Sequence, residues 1–300
     1  MTLCACIDIG STTTRLLVAR VAGGAYREVH SERAFLQLGR GLVARASLPA
    51  ERIDALAAAV EAQVRSARRI GAAHLRVVAT APLRRAANAG EVCLAVRARA
   101  GVEVEVLRAE EEARLAWCGA TGMLRTPSAR PIAVVDVGGG STEAAVGSVR
   151  TVAWSASADI GSHGLTDAHV AHDSPSPEEI GALARAAEAA LAGWRPPPAD
   201  RALAVGGSAT SLHRLVGPVL DAPALARALG ILSGAPAAEV AAREGLDPRR
   251  VRLLPAGLGL LAAAARRLGR PLEIAHGGLR EGVVLEAIAG AYSGGQEMAR

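Results

Sequence analysis

The stretch that most constrains the fold of this chain runs from Ile132 to Gly147, directly after Pro131. A β-branched apolar run ending in Asp136 and Val137 meets Gly138, Gly139, Gly140, Ser141 and Thr142, then resumes through Glu143 as a second apolar run. Apolar runs bounded by glycines and hydroxyl residues read as strand, tight turn, strand. Three consecutive glycines let successive N–H groups point into one concavity with no Cβ in the way. The hydroxyls of Ser141 and Thr142 add donors, so the turn suits a phosphate. Asp136 and Glu143, at the two strand ends, are placed to share a divalent cation with that phosphate. An ordinary glycine-rich hairpin satisfies the same local pattern.

The order recurs at the start of the chain, where Ile7, Asp8 and Ile9 lead into Gly10, Ser11, Thr12, Thr13 and Thr14, followed by Arg15, Leu16 and Leu17. Two such units predict a duplicated α/β fold whose halves face each other across an interdomain cleft. The stretch 124–131, with Pro127 and Pro131, is the linker candidate, giving domains 1–124 and 125–300. Three hundred residues, half of them apolar, suffice for two cores, packed mainly with Ala, Val and Leu because aromatics make up 2%.

No apolar run approaches the roughly 18 residues that span a bilayer, and no charged-then-apolar leader opens the chain, so no membrane partner and a cytoplasmic location are expected. Cys4, Cys6, Cys93 and Cys118 show neither a CxxC pair nor zinc spacing and read as thiols in a reducing compartment; Cys4 and Cys6 are expected on opposite faces of a strand. The formal charge is +5 and every one of the 34 basic residues is Arg. The absence of Lys excludes a Walker-type phosphate loop and Lys Schiff-base chemistry. The positive balance favours an anionic partner, but with the aromatics scattered no stacking platform for nucleic acid forms. A phosphate-rich small or polymeric ligand fits better.

Along the chain, 26–34 reads as a strand, and a helix opening at Ser47, Leu48 and Pro49 carries Ile53, Leu56, Val60 and Val64 at helical spacing until Gly71. Residues 75–79 form a buried strand leading to Arg84 and Arg85 at a helix entrance, where a bound anion would relieve unfavourable charge; a solvated Arg pair is the plain alternative. Residues 102–106 alternate as a half-exposed strand, followed by Glu110, Glu111 and Glu112 at a helix start. Capping explains most of that acidic cluster, while one carboxylate facing a cleft would serve as a base. A further strand is expected over 148–157, a loop over 159–164, and an Ala-rich helix from Ser174 to Glu179 onward. Residues 202–205 run as a strand into Gly206, Gly207 and Ser208 at a helix start, a second turn able to hold phosphate. A helix over 253–268, a strand over 272–275 and a last helix from about 279 to 292 complete the reading.

These blocks, in order and spacing, resemble the exopolyphosphatase and guanosine pentaphosphate phosphohydrolase (Ppx/GppA) family, in a short two-domain form. The most specific are Asp136 through Glu143 and Glu111 through Leu115, with residues 7–17, 79–88, 206–210 and 279–282 in support. The resemblance implies two actin-like (ribonuclease H-like) domains of the sugar-kinase and Hsp70 superfold, with the last helix packing back on the first domain. It implies a magnesium-dependent enzyme that removes the terminal phosphate from inorganic polyphosphate, or alternatively from guanosine pentaphosphate. Glu112 would activate the attacking water, with Glu111 as second candidate, and Arg84 would neutralise the transferred phosphoryl group. Asp136, Glu143 and Asp8 would hold Mg2+. Ser11, Thr12, Gly138, Gly139, Gly140, Ser141, Thr142, Gly207 and Ser208 would contact phosphate. A phosphoryl transition state needs these groups: cations and N–H donors around the spread charge, and one placed base.

The chain departs from the family pattern at Thr12, usually Asn, at Arg40, often an acid, and at His276, usually Asp. Competing readings are a kinase of the same superfold and a non-catalytic polyphosphate or alarmone sensor. A homodimer is compatible with all of them.

Overall fold

The computed structural model describes residues 2–22, 25–39, 46–124, 129–148 and 151–287. Arg40, residues 125–128 of the expected linker and the end of the last helix near Tyr292 lie outside these residues. The chain divides into two compact units, one made of the described residues up to Met123 together with those from Gly277, the other running from Leu124 to His276.

In the first unit, β1 (Thr2–Ile9), β2 (Thr13–Ala22) and β3 (Ala25–Phe35) form an antiparallel meander, and β4 (His74–Ala79) and β5 (Glu105–Val106) add parallel to β1, giving the order β3-β2-β1-β4-β5. β5 is shorter than the alternation over 102–106 suggests, because it pairs only with Val78 and Ala79 at the end of β4. In the second unit, β6 (Ile132–Val137), β7 (Thr142–Ser148) and β8 (Thr151–Ala158) repeat the meander. β9 (Arg201–Val205) and β11 (Leu272–Ile274) follow in parallel, and the short β10 (Val219–Leu220) closes the edge. Both sheets thus share one topology, a three-strand meander extended by parallel strands on the far side of its first strand. This is the duplication that the repeated motif predicts, in the actin-like form that the family resemblance implies.

Helices cover both faces of the first sheet, so its central strands are apolar on both sides rather than alternating. On one face, Ile7, Ile9, Leu16 and Val18 pack against Ile53, Leu56, Val60 and Val64 of the helix Ala50–Ile70 and against Val92 and Val96 of the helix Ala89–Ala100. The first of these helices stops at Gly71, in the left-handed conformation at φ +87°, as the sequence pattern anticipates. On the other face, Cys4, Cys6, Leu17 and Val78 meet Leu115 of the helix Ala109–Gly122 and Leu279, Val283 and Val284 of a helix over 279–287. Cys4 and Cys6 therefore share a face, correcting the expectation of opposite faces: side chains two apart on a strand return to the same side.

The helices Ala109–Gly122 and 279–287 touch backbone to backbone. A Cβ on Gly119 would lie 1.9 Å from the Gly278 oxygen, and one on Gly282 would lie 2.0 Å from the Leu115 oxygen. The second sheet packs Val135, Val137, Ala144 and Val146 against Leu183 and Ala187 of the helix Pro177–Ala190 and Leu260, Leu261 and Ala264 of the helix Leu254–Leu268. The helix Pro177–Ala190 begins in a capping box, with Ser176 and Glu179 each binding the other's backbone N–H. Among the described residues no helix is long and apolar enough to cross a membrane.

Candidate functional site

Parallel strands present their carboxyl ends together, and loops leaving those ends form the ligand-binding side of open α/β sheets. In the first unit the carboxyl ends of β1, β4 and β5 lead to the Gly10–Thr12 turn, to Arg84 and to Glu112. In the second unit the ends of β6 and β9 lead to the Gly138–Ser141 turn and to Gly206. The predicted residues divide between the units, and within each unit the fold gathers its share.

The two hairpin turns are built alike. Gly10 N–H donates to the Thr13 oxygen at 3.0 Å, and Gly138 N–H donates to the Ser141 oxygen at 3.0 Å. Asp8 faces Arg15 across its hairpin, while Asp136 faces Glu143 at the equivalent register. That single exchange of Arg for Glu makes the two hairpins chemically different. Asp8 stands beside a guanidinium, with Oδ1 shut from solvent and accepting no hydrogen bond. Burial raises its carboxyl above the usual range, and Arg280 and then Arg15 pull it back. Asp136 and Glu143 instead put two acidic residues in cross-strand register, a pairing that a shared cation would favour and like charge alone would not. Glu143 is 2% exposed and accepts a hydrogen bond from Ser157 Oγ at 3.0 Å. Asp136 has its carboxylate against Gly206, where a Cβ would fall 2.2 Å from Oδ1. Glycine there, at φ +86°, leaves oxygen-lined room that any side chain would fill. The donor set suits a hard, oxygen-seeking cation such as magnesium, which keeps part of its water shell and needs few protein carboxylates. Among the described residues no three His, Cys, Asp or Glu side chains converge as a metal cage.

Arg84 does not sit at a helix entrance. It ends the short helix Ala81–Arg84, and its Nη1 donates to Glu112 Oε2 at 2.7 Å and to the Leu107 oxygen at 3.1 Å. Glu112, 8% exposed, lies in the first turn of the helix Ala109–Gly122, where the helix dipole favours a carboxylate. Glu111 points elsewhere: both its oxygens pair with Arg114, at 2.8 and 2.7 Å, which holds its carboxyl below the usual range. Arg114 also pairs with Glu286. Glu111 thereby helps to fasten the helix over 279–287 to the helix that carries Glu112, and its carboxylate is committed to that network.

The hydroxyls separate as well. Thr142 is fully buried and donates to the Ile160 oxygen at 2.8 Å, so its proton braces the hairpin. Ser141, Ser11 and Ser208 are buried too, and Ser208 approaches Gly257, where a Cβ would lie 2.5 Å from Oγ. The Gly207 oxygen accepts from Ser211 Oγ at 2.8 Å within the helix Gly206–Val216.

Two features escape sequence reasoning. The guanidinium of Arg250 lies against Gly207, where a Cβ would be 2.0 Å from Nη1, bringing positive charge to the third glycine turn. The segment expected as a loop over 159–164 instead starts the helix Ser162–His169, whose first residues bind the Gly138–Ser141 turn. Arg250 carries no local signal, being distant in sequence from the turn it reaches.

Duplicated actin-like sheets, glycine turns at their carboxyl ends and a part-buried Arg–Glu pair define a protein of the phosphoryl-handling class. The chain matches the Ppx/GppA phosphatase family over residues 17–290, and it belongs to that family. It is 31% identical over 320 residues to exopolyphosphatase 2 of Mycobacterium tuberculosis, covering 98% of this chain and 99% of that protein. It is also 33% identical over 302 residues to an uncharacterised protein of Streptomyces coelicolor, covering 94% and 89%. The crystal structure of the Aquifex aeolicus Ppx/GppA family member superposes with a TM-score of 0.83 at 26% identity, covering 97% of this chain and 98% of that one.

Proposed function

We propose that this chain is a magnesium-dependent exopolyphosphatase that releases the terminal phosphate of inorganic polyphosphate through a water activated by Glu112. The observation that carries the reading is the Arg84–Glu112 pair: a buried carboxylate and a guanidinium fixed at 2.7 Å within a family of phosphatases. Glu112 accepts the proton of the attacking water, and the bond from Arg84 holds its carboxylate in one orientation for that transfer. Arg84, with a planar fork of donors, neutralises charge on the phosphoryl oxygens as the terminal anhydride bond breaks. Ser11 and Thr12 in the first unit, and Gly138, Gly139, Gly140, Ser141, Gly207 and Ser208 in the second, supply phosphate-binding donors. Asp136 and Glu143 would hold magnesium, which when bound neutralises charge on the phosphate oxygens. Asp8, balanced by Arg280 and Arg15, shapes the first hairpin.

The test is a phosphate-release panel with purified full chain: tripolyphosphate, long-chain polyphosphate and guanosine pentaphosphate, each with and without magnesium, and each with and without ADP. Release from polyphosphate with magnesium and no nucleotide supports the reading. Release from guanosine pentaphosphate alone would replace the substrate, phosphate transfer only with ADP would indicate a kinase, and binding without release would indicate a sensor.

A further inference from the structure

Each of the two hairpin turns has its carbonyl oxygens held by the segment that follows the third strand of its own meander. After β8, the N–H of Ser162 donates to the Gly138 oxygen at 3.0 Å and the N–H of His163 to the Gly139 oxygen at 2.9 Å, with Ser162 Oγ adding a bond to the Gly138 oxygen at 3.3 Å. After β3, the N–H of Gly39 donates to the Ser11 oxygen at 2.9 Å, and the N–H groups of Leu36 and Gln37 donate to the Thr12 oxygen at 3.1 and 3.0 Å. The two segments share no sequence pattern beyond a glycine, yet they occupy the same place in the duplicated topology.

A trans peptide is planar, so the C=O of one residue and the N–H of the next point in opposite directions. Tying the Gly138 and Gly139 oxygens to one helix start therefore turns the N–H groups of Gly139 and Gly140 to the far side together. By the same reasoning, the ties on Ser11 and Thr12 turn the N–H groups of Thr12 and Thr13 away from the Leu36–Gly39 segment. Successive N–H groups aimed one way make an anion-binding concavity.

The approach leaves no room for a side chain. A Cβ on Gly161 would lie 2.5 Å from the Gly139 carbonyl carbon and 2.6 Å from both the Gly138 and Gly139 oxygens. Its φ of −132° is one any residue adopts, so space and not conformation requires glycine. A Cβ on Gly39 would lie 2.9 Å from Ser11 Cβ. Gly164, in the same helix as Ser162, differs: its Cβ would meet only Ile160 Cγ1, at 3.8 Å, an ordinary contact.

We propose that Gly161, with the N–H groups of Ser162 and His163, and Gly39, with those of Leu36 and Gln37, are positioning elements that aim the phosphate-binding N–H groups of the two turns. The inference rests on the reading of those turns as phosphate cradles. The experiment compares full-length wild type, Gly161→Ala, Ser162→Ala, Gly39→Ala and Gly164→Ala, with magnesium tripolyphosphate as substrate and orthophosphate as competing product, alongside thermal unfolding of each. Gly161→Ala and Gly39→Ala are expected to raise KM and the orthophosphate inhibition constant about tenfold or more, and Ser162→Ala roughly two- to fivefold, with kcat falling less. Gly164→Ala is expected to match wild type. Should the two glycine variants not fold, Ser162→Ala decides alone. Folded variants with unchanged KM and inhibition constants overturn the inference, as does a Gly164→Ala variant impaired to the same degree as Gly161→Ala. A wild type that neither releases phosphate from tripolyphosphate nor binds orthophosphate overturns the functional reading itself and the inference with it.

Discussion

Arg84 and Glu112 meet at 2.7 Å although 28 positions separate them in the chain, and each is delivered by the end of a different parallel strand. Replacing Glu112 by Gln keeps a hydrogen-bonding group in reach of Arg84 but removes the proton acceptor. Glu112→Gln is expected to lower kcat by about 10² to 10⁴-fold while the unfolding midpoint and orthophosphate affinity stay close to wild type. Phosphate-release kinetics beside an orthophosphate titration check both halves.

Arg84 has a second role in the fold, because the same Nη1 serves the Leu107 oxygen at 3.1 Å. Arg84→Ala withdraws a donor from a buried carboxylate and from a carbonyl, and should lower unfolding free energy by about 1–3 kcal/mol besides impairing catalysis. Arg84→Lys keeps the charge without the planar fork and should recover stability better than kcat. Denaturant unfolding and steady-state kinetics on the two variants separate these effects.

How much of this is legible in the sequence depends on range. The hairpins at Asp8 and Asp136 are local objects, strand and turn and strand, so their residues spell them out, and their duplication implies the sheet topology. The Arg84–Glu112 pair is not legible as a pair: each residue stands in a recognisable block, but only the parallel pairing of β4 with β5 brings the blocks together. Glu111 and Glu112 are adjacent and chemically alike, and only the helix face distinguishes the one bound to Arg114 from the one bound to Arg84. Gly161 reads as a loop glycine, since nothing in a linear pattern reports a carbonyl 2.6 Å from an absent Cβ.

Asp136 and Glu143, cross-strand partners at the mouth of the second hairpin, are the expected magnesium ligands. Added magnesium should raise the thermal midpoint of wild type, since a ligand that binds only the folded state stabilises it by mass action. Asp136→Asn and Glu143→Gln should each raise the magnesium concentration needed for half of that shift by on the order of tenfold. Removing metal with EDTA should abolish the shift and phosphate release together, and a wild-type midpoint indifferent to magnesium would count against these ligands.

Glu179 supplies a pH-dependent stability term away from the catalytic groups. Its carboxylate accepts from the N–H groups of Ser176 at 2.8 Å and Ala171 at 2.7 Å, bonds that pull its carboxyl from 4.5 down to about 2. A carboxyl depressed in the folded state stabilises above its unfolded value and loses that contribution as pH falls through the folded one. The stability gap between wild type and Glu179→Gln should therefore be constant near neutrality and shrink as pH falls from about 4.5 toward about 2. Denaturant unfolding of both proteins across that range measures the closure.

At Gly119 the helices Ala109–Gly122 and 279–287 are in backbone contact, with 1.9 Å between the Cβ of a substituted residue and the Gly278 oxygen. Gly119→Ala would force them apart and should destabilise by about 1–3 kcal/mol or more, as overpacking of a close interface does. Because the first helix carries Glu112, activity should fall further than the small change in fraction folded explains. Gly90→Ala, at a helix position with nothing within 4 Å, is the neutral control in the same thermal and kinetic assays.

The helix over 279–287 also bears on the order in which the chain is made. Leu279, Val283 and Val284 cover Cys4, Cys6, Leu17 and Leu115, residues that leave the ribosome long before them. Until that helix emerges, a newly synthesised first unit has a bare apolar face, whereas the second unit, Leu124–His276, is already complete. Domains usually mature from the amino end during synthesis. Here the leading unit must wait for the trailing one, so a chain stalled before Gly277 would present to chaperones and proteases an unfinished sheet that already carries the Arg84–Glu112 pair.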